Sequence, residues 1–357
     1  MARTRGSSRP TSSAGDPQTV AKAPAQSKPP IVPAPLQFPL LVVLSMTLSS
    51  FLYAGSSSFT SGDLSTVSGY RDQWYEVAGL LAWRASELAV GWCGGYDSER
   101  SAHFSYCHLL MYRVALDLAS LTFLTHLPYL FFLVSFYKIR PTTAAFCLTI
   151  DMVATCVPFL LLRGSSNYHM FKAPKGVVAN RTVVNDYGVQ AFTSLLAAGV
   201  YGVVIFGSFG SWMPVYLVSH FDGIRDISSL YNAQFPWLIA AFIPTGIAAK
   251  VFLFTPATAA KPDAADKEMA SFDPETASLG ETIMYNLWGH SKRVRTLIER
   301  TAILVVVGGL HTWLHTFVAV DGAEGFGAAG WSSVWALAAT LTGVAFWWVG
   351  DVEGMSN

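Results

Sequence analysis

Long apolar runs separated by short polar segments make up most of the chain after residue 35. Eight runs approach the length of about 20 apolar residues that crosses a bilayer: residues 36–54, 75–93, 114–137, 142–162, 187–209, 235–254, 301–320 and 328–349. The second run is the weakest, because it contains Glu76, Arg84 and Glu87. The pattern predicts an all-α fold, a polytopic helical membrane bundle with about eight transmembrane helices.

The same runs divide the chain into five segments. Residues 1–35 are rich in Ser, Pro and Arg without the apolar stretch of a secretory signal, which predicts a disordered cytosolic arm. Residues 36–254 predict a six-helix membrane region, and residues 301–350 a two-helix membrane region. Residues 255–300 predict a cytosolic loop with an amphipathic helix, because Leu279, Ile283 and Leu287 recur at helical spacing. Residues 351–357 form a short tail.

Composition supports membrane insertion and excludes a nucleic-acid partner. Only 13% of the residues are charged, whereas a soluble domain carries about 25%. The formal net charge is zero, so no overall electrostatic attraction to nucleic acid exists. With eight spans and a cytosolic N-terminus, most Lys and Arg residues fall on the cytosolic side. This predicts that both termini are cytosolic, in the endoplasmic reticulum, another endomembrane or the plasma membrane. Lys138 and Arg140 fall on the opposite side and conflict locally with this arrangement.

Two adjacent apolar runs each carry one ionisable residue near the middle. His126 lies 13 residues before Ile139, at the centre of the turn, and Asp151 lies 12 residues after it. At roughly 1.5 Å per residue, both are about 19 Å from the turn. Because helices joined by so short a turn are normally neighbours, we expect His126 and Asp151 to form a hydrogen-bonded pair. The alternative is that Thr, Ser or backbone groups satisfy each one separately.

Other ionisable residues within the runs can pair with one another or line a polar cavity. Arg84 and Glu87 have i,i+3 spacing and can pair on one helix. His311 and His315 lie on one helical face, where they can bind zinc, carry protons or only pack. A closed zinc site needs about four ligands, and we expect no metal, cofactor or catalytic residue. The candidates for a substrate or ion path are therefore His126, Asp151, Arg84, Glu87, His311 and His315.

A basic cluster precedes the seventh run. Lys292, Arg293, Arg295 and Arg300 follow the amphipathic segment, and such an arrangement attracts anionic lipid headgroups. The alternative is the ordinary positive flank of a transmembrane helix. Asp117, near the cytosolic end of the third run, can simply be solvated. Cys93 and Cys107 flank a loop and can pair only in an oxidising lumen.

Two parts of the chain resemble multi-pass membrane proteins of filamentous fungi. The first comprises Phe272-Asp273-Pro274-Glu275-Thr276-Ala277-Ser278-Leu279-Gly280-Glu281-Thr282 and Tyr285-Asn286-Leu287-Trp288-Gly289, and the second is Pro214-Val215-Tyr216-Leu217-Val218. The resemblance implies a eukaryotic, multi-spanning helical protein. It carries over no activity and no site residue.

Three classes of function follow from these observations. The first is transport of a small solute or ion through a polar intramembrane site, because ionisable residues within spans tend to be functional. The second is a non-catalytic membrane scaffold or biogenesis factor that binds lipid or a protein partner through residues 275–300. The third is a membrane enzyme built around His311 and His315. The lipid bilayer is the one expected partner, and protein partners are not identified.

Overall fold

The computed structural model describes residues 33–68, 73–93, 107–162, 180–260, 266 and 277–352. The predicted N-terminal arm and nearly all of the C-terminal tail lie outside these residues. The described helices are α1 Ala34–Leu64, α2 Trp74–Cys93, α3 Cys107–Tyr137, α4 Pro141–Leu162, α5 Arg181–Asn185, α6 Tyr187–Phe209, α7 Met213–His220, α8 Ser228–Tyr231, α9 Phe235–Ala241, α10 Ile243–Ala249, α11 Thr255–Ala259, α12 Leu279–Trp288, α13 Lys292–Ala319 and α14 Gly325–Val352. The all-α prediction is confirmed.

Six of the described helices are long and apolar enough to cross a membrane, or up to seven spans if a bent pair counts as one. The six are α1, α3, α4, α6, α13 and α14. The bent pair consists of Phe235–Ala241 and Ile243–Ala259, which meet at 49°. Helix α2 is absent from this set, and its segment carries the charges that made the second run weak. The predicted count of about eight spans is therefore not confirmed.

The bend in the sixth run has a local cause. Pro244 occupies the first turn of α10, where it lacks an amide hydrogen and fits poorly into a continuous helix. Beyond α10, residues Lys250–Phe254 form a π-helical turn before α11 begins. The run that reads as one straight span in the sequence is thus interrupted at two places.

The turn between α3 and α4 is stabilised by acidic neighbours. Lys138 has a φ angle of 60° and forms an ion pair with Asp226. The Arg140 Nε donates to Asp63 Oδ2 at 2.8 Å. Hydrogen bonds from Lys138 and Ser228 hold the pKa of the Asp226 carboxyl well below its usual range. Lys138 and Arg140, the two cations that lie on the side where cations are disfavoured, are thus each paired with a carboxylate from another part of the chain.

Helix α3 contacts several elements of the bundle. It packs against α4, α10 and α13, while α13 and α14 form the most extensive helix pair. At one end of α3, Phe132 and Phe136 surround the buried Trp331 of α14. The Trp331 indole Nε1 donates to the carbonyl of Pro128 at 3.1 Å. The aromatic contacts and this hydrogen bond fix the position of α14 relative to α3.

The segment before residue 301 contains a helix where one was predicted, but the helix that follows begins earlier than predicted. Helix α12 confirms the predicted amphipathic helix and begins with a capping box between Ser278 and Glu281. Helix α13 begins at Lys292, nine residues before the predicted start of the span at residue 301. The basic cluster therefore belongs to a helix rather than to a loop, and this places Arg300 well inside it.

Helices α6 and α10 approach each other closely at Gly246. A β-carbon at this position would lie 2.0 Å from the carbonyl oxygen of Ser194. We expect Gly246→Ala to destabilise the protein by about 1 to 3 kcal/mol, because the backbones must separate. Thermal unfolding in detergent measures the change.

The matched control for this substitution is Gly199→Ala, in α6. A β-carbon at Gly199 meets no atom within 4 Å, and alanine is the better helix former by about 1 kcal/mol. We expect this variant to be at least as stable as the parent protein. Equal stabilities of the two variants would contradict the close helix contact at Gly246.

Candidate functional site

A group of polar side chains meets inside the bundle, where five helices approach one another. We define this polar cluster by the residues that contact each other there. Its members are Tyr53 of α1, Arg84 and Glu87 of α2, His126 of α3, Asp151 of α4 and His311 of α13. The side chains of His126 and Glu87 are each 9% exposed, and that of His311 is 1% exposed. A buried polar group is costly unless partners satisfy it, so the contacts within the cluster matter for stability.

The predicted pairing of His126 with Asp151 is confirmed. The Nδ1 of His126 lies 3.0 Å from Oδ2 of Asp151. The hydroxyl of Tyr53 donates to the other carboxylate oxygen, Oδ1, at 3.1 Å. Asp151 therefore joins α1 to the hairpin of α3 and α4. Depth counting from the short turn was sufficient to find the central pair.

The predicted pairing of Arg84 with Glu87 is also confirmed, and both residues have further partners. Arg84 NH1 donates to Glu87 Oε2 at 3.2 Å. Its NH2 donates to the Thr155 hydroxyl at 2.6 Å and to the Asp151 carbonyl at 3.5 Å. The two residues thus pair on their own helix, and Arg84 also contacts Asp151 and Thr155.

Glu87 contacts two imidazoles from different helices. Its Oε1 lies 2.5 Å from His311 Nδ1 and 3.8 Å from His126 Nε2. Sequence reasoning missed both contacts, because α2, α3 and α13 are far apart in the chain. The one available signal was that Glu87 is an acidic residue within an apolar run, which requires some cationic or proton-donating partner.

His315, the second histidine of the predicted pair, contacts the ring of His311. The rings of His311 and His315 stack with centroids 4.1 Å apart and planes at 20°. His126 is nearer to His311, at 3.9 Å between ring centroids, than to His315, at 6.4 Å. The i,i+4 pair is therefore a stack of two rings, and His311 is the member that reaches the carboxylate of Glu87.

The formal charges of Glu87, Asp151 and Arg84 leave the cluster with one net negative charge. Glu87 and Asp151 contribute two carboxylates, and Arg84 contributes one guanidinium. An uncompensated charge inside an apolar bundle costs several kcal/mol. Ring N–H groups of the nearby histidines can donate hydrogen bonds to the carboxylates, and a bound cation can supply the missing positive charge.

A small cavity lies beside the cluster. Its volume is about 20 Å³, and Arg84, Glu87 and His126 contribute to its lining. A cavity of at least about 10 to 15 Å³ is needed for one water molecule. The space therefore accommodates roughly one water and no larger solute.

A separate buried ion pair corrects the prediction of a lipid-facing basic patch. Arg300 is 5% exposed, and its NH2 lies 3.1 Å from Oδ2 of Asp117. Its NH1 donates to the Phe252 carbonyl at 2.9 Å. Asp117 is fully buried rather than solvated. Arg300 therefore lies on the face of α13 that contacts α3 and points into the bundle.

The remaining basic residues are partly engaged as well. Arg295 donates from NH2 to Asp266 Oδ1 at 3.0 Å, and the backbone amide of Lys292 donates to the same oxygen at 2.8 Å. Asp266 thus occupies the start of α13, where a carboxylate interacts favourably with the helix dipole. Lipid contact by Lys292 and Arg293 stays a prediction. Cys93 is an exposed free thiol, and the side chain of Cys107 lies outside the described residues.

Residues 186–349 match the profile of a family described as the bouquet formation protein 3 C-terminal domain. No curated protein and no solved structure matches the chain. The matched region begins at the residue that caps α6 and ends within α14. It includes His311 and Arg300, whereas their partners Glu87 and Asp117 precede it. The match agrees with the resemblance to fungal membrane proteins.

Substitutions of Arg300 and Asp117 test whether this ion pair is buried in the folded protein. Asp117→Asn leaves the guanidinium of Arg300 without a balancing charge, and we expect a loss of roughly 3 to 5 kcal/mol. The double variant Asp117→Leu, Arg300→Met removes both charges, and we expect it to recover most of that loss. Chemical unfolding in detergent measures all three proteins.

The control for this test is Glu324→Gln. The Glu324 side chain is 62% exposed and pairs with His220, so its neutralisation is expected to cost about 0 to 1 kcal/mol. If Asp117→Asn is as mild as this control, the pair is not buried in the folded protein.

Proposed function

We propose that this chain is a multi-pass membrane protein with a non-catalytic scaffold role in formation of the meiotic bouquet. The observation that carries the proposal is the similarity of residues 186–349 to the bouquet formation protein 3 C-terminal domain. The presence of six helices with the length and composition of membrane spans supports it further. The proposed orientation keeps both termini in the cytosol, which the distribution of Lys and Arg favours when α2 and the bent pair both count as spans.

The interpretation as a transporter lacks comparable support. The polar side chains that would line a path satisfy one another within the cluster, as the bonds of Arg84 and Asp151 illustrate. The adjoining cavity has room for about one water molecule. A path for a solute needs binding that is weak enough for release, whereas these groups are held by several short contacts each.

The interpretation as an enzyme built around His311 and His315 is also less well supported. The rings of His315 and His311 stack, and the contact with the Glu87 carboxylate is made by His311. The cavity beside the cluster is too small for a substrate. A structural role for the cluster needs neither a path nor a pocket.

The scaffold role requires a surface for a partner, and α12 is our candidate. Leu279 is 78% exposed and Ile283 is 49% exposed, one helical turn apart. The helix has an acidic residue in its first turn and no Lys or Arg within Leu279–Trp288. Amphipathic helices that bind anionic membranes usually have cations on the polar face. We therefore propose a protein partner that receives Leu279 and Ile283 in an apolar groove.

The variant Leu279→Glu, Ile283→Glu tests this role. We expect meiotic cells that carry it to form the bouquet as poorly as cells without the protein, because two charges cannot enter an apolar groove. The abundance and thermal unfolding of the protein are expected to stay unchanged, since both side chains are exposed. Microscopy of meiotic nuclei measures bouquet formation.

The matched control is Gly280→Glu, which adds the same charge on another face of α12. A β-carbon at this position meets no atom within 4 Å, and we expect normal bouquet formation. Normal bouquets in cells with the double variant would exclude the role of α12. Normal bouquets in cells that lack the protein would exclude the proposed function as a whole. If the isolated segment instead binds vesicles containing anionic lipid and the double variant does not, the occupant is the membrane.

A further inference from the structure

We propose that Glu87, His126 and His311 form a binding site for a divalent transition-metal ion. One ligand atom from each of these residues lies within 4.8 Å of the other two. Two imidazoles and one carboxylate are a common ligand set for zinc and for iron(II). This inference is independent of the proposed scaffold role, because it concerns how α2 is held in the bundle.

The distances between the ligand atoms are close to those that an ion would impose. Zinc bonds of about 2.0 to 2.1 Å in a tetrahedral site place the ligand atoms about 3.3 Å apart. The observed separations from Glu87 Oε1 are 2.5 Å to His311 Nδ1 and 3.8 Å to His126 Nε2. Binding would require His311 Nδ1 to move away from Glu87 Oε1 by about 0.8 Å and His126 Nε2 to approach it by about 0.5 Å. The three residues come from three helices, so the ion would link α2, α3 and α13.

Outer partners orient two of the three ligands towards the shared point. The Nδ1 of His126 is bound to Asp151, which leaves Nε2 facing Glu87. Metal-binding histidines almost always donate their second ring nitrogen to such a carboxylate or to a carbonyl. The Oε2 of Glu87 is bound to Arg84, which leaves Oε1 for the ion. In both His126 and Glu87, one polar atom binds an outer partner and the other faces the shared point, as is usual for metal ligands.

The contact between Glu87 Oε1 and His311 Nδ1 needs either a hydrogen, which a neutral imidazole can supply, or a metal ion between the two atoms. The Trp83 indole Nε1 also donates to His311 Nδ1 at 3.3 Å, and a bound ion would replace this contact. An oxygen and a nitrogen with lone pairs repel each other at 2.5 Å unless a proton or a metal ion lies between them. The cavity of about 20 Å³ beside Glu87 and His126 has room for a water molecule as the fourth ligand. It has no room for a substrate, so the ion would act as a structural link.

Metal analysis of the purified full-length chain tests the site. After treatment with a chelator, exposure to zinc chloride and gel filtration, we expect about one zinc per chain by elemental analysis. Cobalt(II) in place of zinc is expected to produce visible absorption bands that zinc then displaces. Zinc is also expected to raise the midpoint of thermal unfolding, because an ion that binds only the folded state stabilises it.

Four variants separate the ligands from their neighbours. Glu87→Gln and His311→Asn are expected to lose the stoichiometric zinc. His315→Asn is the matched control, since it removes a stacked imidazole outside the ligand set, and we expect it to retain one zinc. Asp151→Asn is expected to keep the stoichiometry while its affinity falls by about 10- to 100-fold.

The assignment is overturned if zinc remains below about one tenth of an ion per parent chain, which is the result expected when a proton alone bridges the cluster. Retention of the ion by Glu87→Gln, or its loss from His315→Asn, overturns the ligand set. Should Glu87→Gln fail to fold, the parent protein still decides the question: an unfolding midpoint that zinc chloride leaves unchanged contradicts the site.

Discussion

A charge within an apolar bundle needs a partner, and this constraint fixes the relative positions of the helices. The cost of an unpaired buried ion is several kcal/mol, which is a large part of the total stability of a typical protein. Two ion-pair groups meet the constraint here. The polar cluster joins α2 to the hairpin and to α13, and Arg300 with Asp117 joins α13 to α3. Apolar contacts fill the space between these fixed points.

Helix α2 depends on this constraint more than its neighbours do. Its segment carries Glu76, Arg84 and Glu87 and is not among the six helices with the composition of a membrane span. Arg84 and Glu87 pair with each other and are further satisfied by partners on α3, α4 and α13. The charged residues of α2 therefore depend on partners from the rest of the bundle.

The sequence predicts contacts well where the chain itself supplies the geometry. His126 and Asp151 lie on helices joined by a short turn, so counting residues from the turn gives both their depth and their adjacency. Arg84 and Glu87 share one helix, where i,i+3 spacing brings them together. Both pairs are found in the structure.

Contacts between distant helices could not be predicted in this way. Nothing in residue spacing places α13 beside α2, so the contact of His311 with Glu87 depends on packing of the whole bundle. Arg300 was misassigned because the rule for positive flanks explains a cation at a span border without reference to its side-chain direction. Helix α13 begins at Lys292, more than two helical turns before the predicted start of the span at residue 301. The break at Phe242 likewise depends on how Pro244 and the packing of α6 act together.

The contact that ties α2 to α13 joins the carboxylate of Glu87 to the imidazole of His311. Solid-state NMR of the full-length chain in lipid, with carbon-13 carboxyl labels on Glu and nitrogen-15 ring labels on His, measures this contact directly. We expect a carbon–nitrogen dipolar coupling that disappears in both Glu87→Gln and His311→Asn, because Glu87 Oε1 lies 2.5 Å from His311 Nδ1; the separate coupling between Glu324 and His220 is expected to persist in both variants. A spectrum without the coupling between Glu87 and His311, or one that both variants leave intact, would contradict this contact.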